Sequence, residues 1–231
     1  MKGVHPRILA KASDWEKIKS NIENYSEFAT WHKKIMAQAD SKLSTDVEYY
    51  HYEVQENLLQ VARRFKEKMI YWGYAWKMTG DRKYVDRAWL EMEAASKFQD
   101  WSPVHPIDTG EMLFGSAVGY DWMYEALTPE QRKTIEEGTK KLGIDVLRSA
   151  YYGRLHTKQT FGILSGGNFV ASDTNFNVVV NGGLTAAALA YADVYPEECM
   201  DCISKAIQSL GNMLPNFEPS GGWSEGPNYW N

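Results

Sequence analysis

The chain has 231 residues, enough for one large domain or two small ones, and its 44% hydrophobic and 24% charged residues predict a globular core. The net charge of −5 argues against a nucleic-acid partner, because phosphate binding requires a basic face. No apolar run approaches the about 20 residues that a membrane-spanning helix needs, so no membrane partner is predicted.

The sequence gives few signals for the location of the protein in the cell or for a cofactor. Met1 to Pro6 lacks the apolar stretch of a secretory leader, which indicates a cytoplasmic chain as written, or a periplasmic or secreted one if a leader has been removed. Cys199 and Cys202 form a lone CxxC in a predicted helix, and we interpret them as structural thiols. With no HExxH and no dense carboxylate cluster, the sequence predicts neither a metal nor another cofactor. The oligomeric state is not indicated.

The first predicted elements are helices. Ser13 to Asn24 begins with a possible N-cap serine, and Glu16 lies three residues on, at the capping-box spacing. Apolar and aromatic residues recur at helical spacing through Phe28 to Ala39 and through Val54 to Met78. Because β-branched runs of period two are nearly absent, the predicted fold class is all-α.

Three later segments look alike, each a helix rich in aromatic or small residues, a short polar turn and a second amphipathic helix. The hairpins are Met69 to Met78 with Lys83 to Phe98, Glu111 to Leu127 with Gln131 to Leu142, and Asn181 to Val194 with Glu198 to Leu214. Gly80 suits a helix stop, and Pro129 and Pro196 suit the first turn of a helix. Hairpins repeated about every 50 residues predict a stacked or circular α/α array with apolar inner and charged outer helices.

Three polar segments interrupt the helical pattern: Asp100 to Thr109, Tyr151 to Asn177 and Pro215 to Asn231. Long irregular segments in a compact domain are usually functional or mobile. They precede inner helices or end the chain. In a circular array, we therefore expect residues 100–112, 172–183 and 221–230 to form the walls of one cleft.

The motifs in these segments resemble the N-terminal part of the heparinase II/III-like polysaccharide lyases. The matching pieces, in chain order, are His5 to Leu9, Trp76 to Tyr84, Asp100 to Met112, Gly119 to Tyr124, Asn175 to Asn177 with Asn181 to Gly183, and Gly222 to Trp230. Each motif is modest, but together they run in the family's order over nearly the whole chain.

The resemblance implies an all-α, incomplete (α/α) toroid built from repeated helical hairpins. Residues 1–231 would form the N-terminal portion of this single catalytic domain, truncated before a C-terminal β-sandwich part. It also implies cleavage of a uronic-acid polysaccharide by β-elimination, so the expected partner is an acidic polysaccharide or oligosaccharide. Such a fragment could lack activity by itself.

Elimination removes the C5 proton of a uronate, and the dianion that forms requires donors that neutralise its carboxylate. By motif position, Tyr229 matches the family's catalytic tyrosine, which acts as acid or base. Asn175 is the best match to the residue that neutralises the carboxylate, with Asn177 a close competitor that we assign to substrate binding. Asn175 could equally serve as a helix N-cap.

Further candidate substrate-binding residues lie in the same segments. They are His105, Glu111, Trp101, Trp223, Glu225 and Trp230. The tryptophans are possible platforms for sugar rings, although core packing explains them equally well. Asp108 and Glu111 could instead cap the following helix.

Two further functions remain open. A glycoside hydrolase on a similar toroid would need two carboxylates about 5–10 Å apart, and Asp108, Glu111 and Glu225 are available. A non-catalytic carbohydrate-binding protein could use the same cleft. A helical-repeat interaction module fits the Gly-, Asn- and Trp-rich segments less well.

Overall fold

The computed structural model describes residues 3–51, 57–155, 168–223 and 226, and these residues form helices joined by turns and loops. The α-helices are α1 Ala12–Asn24, α2 Ser26–Lys42, α3 Leu59–Thr79, α4 Arg82–Ser96, α5 Pro106–Met123, α6 Pro129–Thr139, α7 Asp145–Ala150, α8 Asn175–Tyr191 and α9 Pro196–Leu210. A π-helical turn, Lys140–Ile144, joins α6 to α7, and 3₁₀ turns lie at Tyr124–Ala126, Asn168–Val170 and Leu214–Phe217. No β-strand occurs in these ranges, which confirms the all-α class.

The predicted hairpin turns are confirmed in their chemistry. Gly80 ends α3 with a φ of 67°, in the left-handed region that favours glycine. Thr128 caps α6 by accepting from the backbone N–H of Gln131, whose side chain bonds back to the backbone N–H of Thr128. Pro129 and Pro196 both occupy the first turn of a helix, where a missing N–H is harmless.

The beginning of α1 differs from the prediction. The helix starts at Ala12, and the Asp14 carboxylate accepts from the backbone N–H of Lys11 at 3.0 Å. The expected capping box of Ser13 and Glu16 is therefore wrong. The Asp14 side chain bonds to the unpaired backbone N–H at the start of the helix, and the pair that it forms with Lys11 lies two residues before the predicted pair.

Two central helices begin earlier than predicted. We expected starts at Glu111 and Asn181, whereas α5 begins at Pro106 and α8 at Asn175. Pro106 is the first helical residue of α5, so the last four residues of the segment predicted as a loop, 106–109, are helix. Asn175 is likewise inside α8, whose N-cap residue is Thr174 rather than Asn175.

Helices α3, α5 and α8 lie side by side and run parallel. The backbone N–H of Leu58 bonds to Asp108 near the start of α5, and Gly73 packs on Trp122 near its end. In the same way Ser116 of α5 bonds to the Tyr191 hydroxyl at the end of α8. These three helices form an inner layer with their N-terminal ends together.

A second layer packs antiparallel on the first. Lys68 of α3 pairs with Glu91 of α4 at 2.8 Å, Tyr120 of α5 bonds to Glu136 of α6, and α9 packs along α8. All residues of α5 except Phe114 are buried, whereas α6 buries few. The predicted contrast between apolar first helices and charged second helices is therefore confirmed.

Helices α5 and α8 cross very closely. A Cβ added at Gly183 would overlap the carbonyl oxygen of Gly110, and one added at Gly110 would lie 3.0 Å from the Val180 Cα. Only glycine fits both positions, because the two backbones touch. This crossing fixes the spacing between the two helices that carry Glu111, Asn175 and Asn177.

The N-terminal segment packs across the opposite end of the inner layer. The buried Asp121 carboxylate accepts from His5 and from the backbone N–H groups of Arg7 and Ile8. The Arg7 guanidinium binds Asp193, just after α8, at 2.6 Å. The C-terminal ends of α5 and α8 are thereby joined to the start of the chain.

Two further predictions concern membranes and thiols. Within the ranges that the structure describes, no helix is long and apolar enough to cross a membrane. Cys199 and Cys202 are free, fully buried thiols on α9. Burial raises the pKa of each thiol to about 12, which keeps both protonated and fits the interpretation as structural thiols.

Candidate functional site

Residues of all three polar segments lie at the N-terminal end of the inner layer, whereas Tyr152 and Arg154 of the second segment lie against α9 on the outer layer. The His105 ring packs edge-on against Phe176, with 5.4 Å between the ring centroids, which joins the first segment to the second. The side-chain amide of Asn216 donates to the carbonyl of Asp173 at 2.7 Å, which joins the third to the second. The first two expected cleft walls therefore meet, whereas most of the third, residues 221–230, lies outside the described residues.

His105 is held in place by a buried carboxylate. Its Nδ1 lies 2.6 Å from Oδ1 of Asp108, which is fully buried and also accepts from the backbone N–H of Leu58. The turn before α5 orients the His105 ring. Ser102 in this turn has a φ of 55°, and its carbonyl accepts from the backbone N–H of His105. The His105 side chain is 25% exposed, so its other nitrogen can reach a ligand.

A cavity of about 260 Å³ opens between the three inner helices just below this end. Its wall is made by Lys66 of α3, by Gly110, Glu111 and Phe114 of α5, and by Val178, Val179, Gly182 and Gly183 of α8. The Glu111 carboxylate pairs with Lys66 and lies 3.7 Å from Nε of Arg63. The charges of Lys66 and Glu111 in the wall cancel, and Arg63, which lies beside the wall, adds one positive charge.

The two candidate asparagines lie on different sides of α8. Successive helical residues turn by 100°, so Asn175 shares a face with Val178 and Gly182, which line the cavity. Asn177 is fully buried and donates its amide hydrogens to Phe169 and Ser209 carbonyls and to the Ser209 hydroxyl. The amide hydrogens of Asn177 are therefore bonded within the protein, and only Asn175 of the two lies on the cavity side of α8.

The two described tryptophan candidates are core residues. Trp101 is 1% exposed, and its indole N–H donates to the Ala95 carbonyl at 3.0 Å. Trp223 is 8% exposed and packs against Phe217, with 5.1 Å between the ring centroids. Neither ring has a face open to a sugar, so burial accounts for both. The alternative that we gave them, core packing, is what the structure has.

Tyr229, Trp230 and Glu225 lie outside the described residues. Their assignments stay predictions from motif position. The nearest described residue with comparable chemistry is Tyr151, whose hydroxyl donates to Asn181. Burial raises the pKa of Tyr151 above its ordinary value, so this phenol stays protonated and is poorly placed to accept a proton.

Sequence reasoning missed Lys66 and Arg63. Both lie on α3 in a run of charged residues, Arg63 to Lys68, where spacing alone does not separate cavity-facing from solvent-facing side chains. Their pairing with Glu111 is a contact between helices. The sequence does contain an apolar stripe, Ala62, Phe65 and Met69, which marks the buried face of α3. Lys66 lies next to this stripe, at the edge of the buried face.

Comparison with known proteins does not assign the chain to a family. No protein-family model and no curated protein matches this chain. The described part of the chain also holds no group of three or more His, Cys, Asp or Glu side chains that could bind a metal ion. Functional inference therefore depends on the geometry and on the sequence resemblance.

Proposed function

We propose that the chain is part of a polysaccharide lyase that cleaves a uronic-acid polymer by β-elimination. The observation that carries this proposal is the placement of Asn175, the exposed His105 and the Lys66–Glu111 cavity at one end of the inner layer. An amide donor, an imidazole and an excess positive charge are the groups that a uronate carboxylate requires.

The proposal includes an (α/α) toroid. Its support is the inner layer of parallel helices, α3, α5 and α8, backed by an antiparallel outer layer that contains α4, α6 and α9. Successive hairpins in a toroid repeat this arrangement around a central cavity, with the active site at one mouth. The incomplete toroid followed by a β-sandwich part is implied by the sequence resemblance alone.

The proposed chemistry divides between two groups of residues. Asn175 donates to the C5 carboxylate as negative charge develops there, while Lys66 and Arg63 attract the polymer's acidic groups to the cavity. His105, oriented by Asp108, donates a hydrogen bond to the same carboxylate or to the leaving oxygen. Tyr229 moves the proton in this scheme, an assignment that rests on motif position.

The positions of the carboxylates support a glycoside hydrolase less well than they support a lyase. A glycoside hydrolase needs two carboxyl groups that face the glycosidic bond. Asp108 is fully buried with both hydrogen-bond partners inside the protein, and Glu111 is ion-paired with Lys66. Among the described carboxylates near the cavity, neither is free to act as a nucleophile or general acid.

The test is turnover of a panel of uronate polymers by full-length protein, followed by the ultraviolet absorbance of the unsaturated uronate that only elimination produces. Tyr229→Phe and Asn175→Ala should each lower the rate by about 10²-fold or more, because each removes a group used in the transition state. Tyr25→Phe and Asn24→Ala are matched controls on exposed surfaces of α1 and α2.

Each outcome discriminates between the functions. Reducing ends without new ultraviolet absorbance would indicate hydrolysis and reject the lyase. Binding without cleavage would favour the carbohydrate-binding alternative. Cleavage that survives both Tyr229→Phe and Asn175→Ala at the unchanged rate would reject these two catalytic assignments.

A further inference from the structure

A second cavity of about 530 Å³ lies on the outer layer, between α7 with its following turn and the start of α9. Its lining includes Lys140, Arg148 and Arg154 as cations and Asp145 and Glu198 as carboxylates. Asn175 and His105 are on other elements, at the N-terminal ends of α8 and α5. A cleft of this volume is in the range that holds a small ligand or one or two sugar rings.

Tyr152 forms an exposed aromatic surface in this cavity. The residue is 45% exposed, and its hydroxyl donates to both oxygens of Asp201 at 2.8 Å. Arg148 binds the same carboxylate at 2.6 Å. The phenol end of the ring is therefore fixed from within the protein, while much of the ring remains accessible.

Three cations surround the ring. The charged groups of Arg148 and Arg154 each lie 5.8 Å from the ring centroid of Tyr152, and Lys205 of α9 lies at 5.6 Å. Asp201 neutralises Arg148. Within the described ranges, Arg154 and Lys205 form no ion pair with a carboxylate.

The backbone positions Arg154. Gly153 has a φ of 65°, and the N–H groups of Gly153 and Arg154 bond to the carbonyls of Ala150 and Ser149. This pattern is a Schellman motif, which ends α7 and turns the chain back. The motif places Arg154 at the cavity by a specified turn rather than by a freely moving segment.

We propose that this outer cavity binds an acidic sugar residue, with the sugar ring on Tyr152 and the anionic group on Arg154. Lys205 supplies a second cation at the same ring, and Asp145 and Glu198 accept hydrogen bonds from sugar hydroxyls. The site goes beyond the proposed lyase reaction and does not depend on it. It would hold a chain of acidic sugars at a distance from the point of cleavage.

The cavity favours an acidic sugar over a simple anion for two reasons. Lys140, Arg148, Arg154 and Lys205 against Asp145, Glu198 and Asp201 leave one excess positive charge, which matches one carboxylate or sulfate. The exposed ring and the two lining carboxylates offer contacts that an inorganic anion cannot use, whereas a sugar has an apolar ring face and hydroxyl donors.

The experiment titrates full-length protein with a uronic-acid trisaccharide, a neutral trisaccharide and inorganic sulfate. Binding is followed by nuclear magnetic resonance at the side-chain Nε–H of Arg154, which reports on this cavity alone. The acidic trisaccharide should shift the resonance, and the neutral one should bind at least about tenfold more weakly, because a charge-assisted hydrogen bond is lost. The shift should persist in Asn175→Ala, so failure of the proposed lyase function would not remove it.

Variants separate the parts of the proposal. Tyr152→Ala should weaken the trisaccharide about tenfold at the Arg154 resonance and leave sulfate unchanged, whereas Lys205→Gln should weaken both ligands. Lys17→Gln, an exposed cation on α1, is the matched control and should change neither. No shift of Arg154 with the acidic trisaccharide would overturn the proposal. So would sulfate binding as tightly as the trisaccharide with no effect of Tyr152→Ala.

Discussion

Helix α5 carries a buried aspartate near each end, and the two carboxylates are bonded in nearly the same way. Asp121 lies 2.6 Å from Nδ1 of His5, and Asp108 lies 2.6 Å from Nδ1 of His105. Each also accepts backbone N–H groups from a distant segment, and both are fully buried. The two ends of α5 therefore have the same arrangement, in which a buried aspartate bonds to a histidine ring and to backbone N–H.

The ends differ in what covers the histidine. The His5 side chain is 2% exposed and stacks on Tyr124 with 3.9 Å between the ring centroids, beneath the Arg7–Asp193 pair. The His105 side chain is 25% exposed beside the inner cavity. A histidine–aspartate pair thus stabilises the fold where it is sealed and can serve chemistry where it is open. Accessibility, rather than the pair itself, distinguishes the two roles.

The largest expected effect is at the sealed end. Asp121→Asn removes the negative charge to which the His5 ring and the backbone N–H groups of Arg7 and Ile8 are hydrogen-bonded. The free energy of unfolding should therefore fall by about 3–5 kcal/mol. Urea denaturation measures the loss. Asp86→Asn, which breaks only an exposed pair with Arg82, should change stability by less than about 0.5 kcal/mol. A loss below about 1 kcal/mol for Asp121→Asn would contradict the structural role of this end.

The crossing between the two ends gives a sharper pair of variants. Gly183→Ala should cost about 1–3 kcal/mol or more of unfolding free energy, because its Cβ would overlap the Gly110 carbonyl. Gly182→Ala, one residue away, meets no atom within 4 Å and should be neutral or slightly stabilising. Equal effects of the two substitutions in urea denaturation would show that α5 and α8 are not this close.

The histidines themselves test the comparison directly. His5→Gln should lower the free energy of unfolding by about 1–3 kcal/mol, because it disturbs a buried, charge-assisted contact. His105→Gln should lower it by less than about 1 kcal/mol while reducing turnover of a uronate polymer. A stability loss at His105 as large as that at His5 would erase the distinction between the ends.

A smaller effect should appear with pH. The hydrogen bond from Arg7 holds the pKa of Asp193 at about 2, below its ordinary value of 3.8. A lowered pKa contributes stability above about pH 4, and this contribution disappears as pH falls through about 2. Asp193→Asn should therefore be about 1–2 kcal/mol less stable than the natural protein at pH 6, and the two should converge near pH 2. Urea denaturation over this range would contradict the pairing if the difference grew on acidification.

Local signals predicted much of the fold. The turns at Gly80, Pro129 and Pro196 followed from backbone chemistry, and the contrast between apolar and charged helices followed from composition. The early start of α5 was missed because Pro103 and Pro106, three residues apart, suggested a loop, although a proline is also well suited to begin a helix. The early start of α8 was missed because the polar, Gly-rich sequence before it suggested an irregular segment.

The candidate site was predicted less completely. His105 and Asp108 are three residues apart, so their contact could be seen from helical spacing once the start of α5 was known. The partnership of His5 with Asp121 spans 116 residues, and that of Lys66 with Glu111 joins two helices. Such contacts depend on how helices pack, and a single sequence carries no direct signal for them.

The parallel inner layer has an electrostatic consequence. Every α-helix carries about +0.5 elementary charge at its N-terminus and −0.5 at its C-terminus. Because α3, α5 and α8 begin at the same end, their positive poles add there, next to His105 and Asn175. The negative poles of the antiparallel outer helices lie about one helix diameter further away. A protein of net charge −5 can thus have a locally positive potential at this end without additional lysines or arginines.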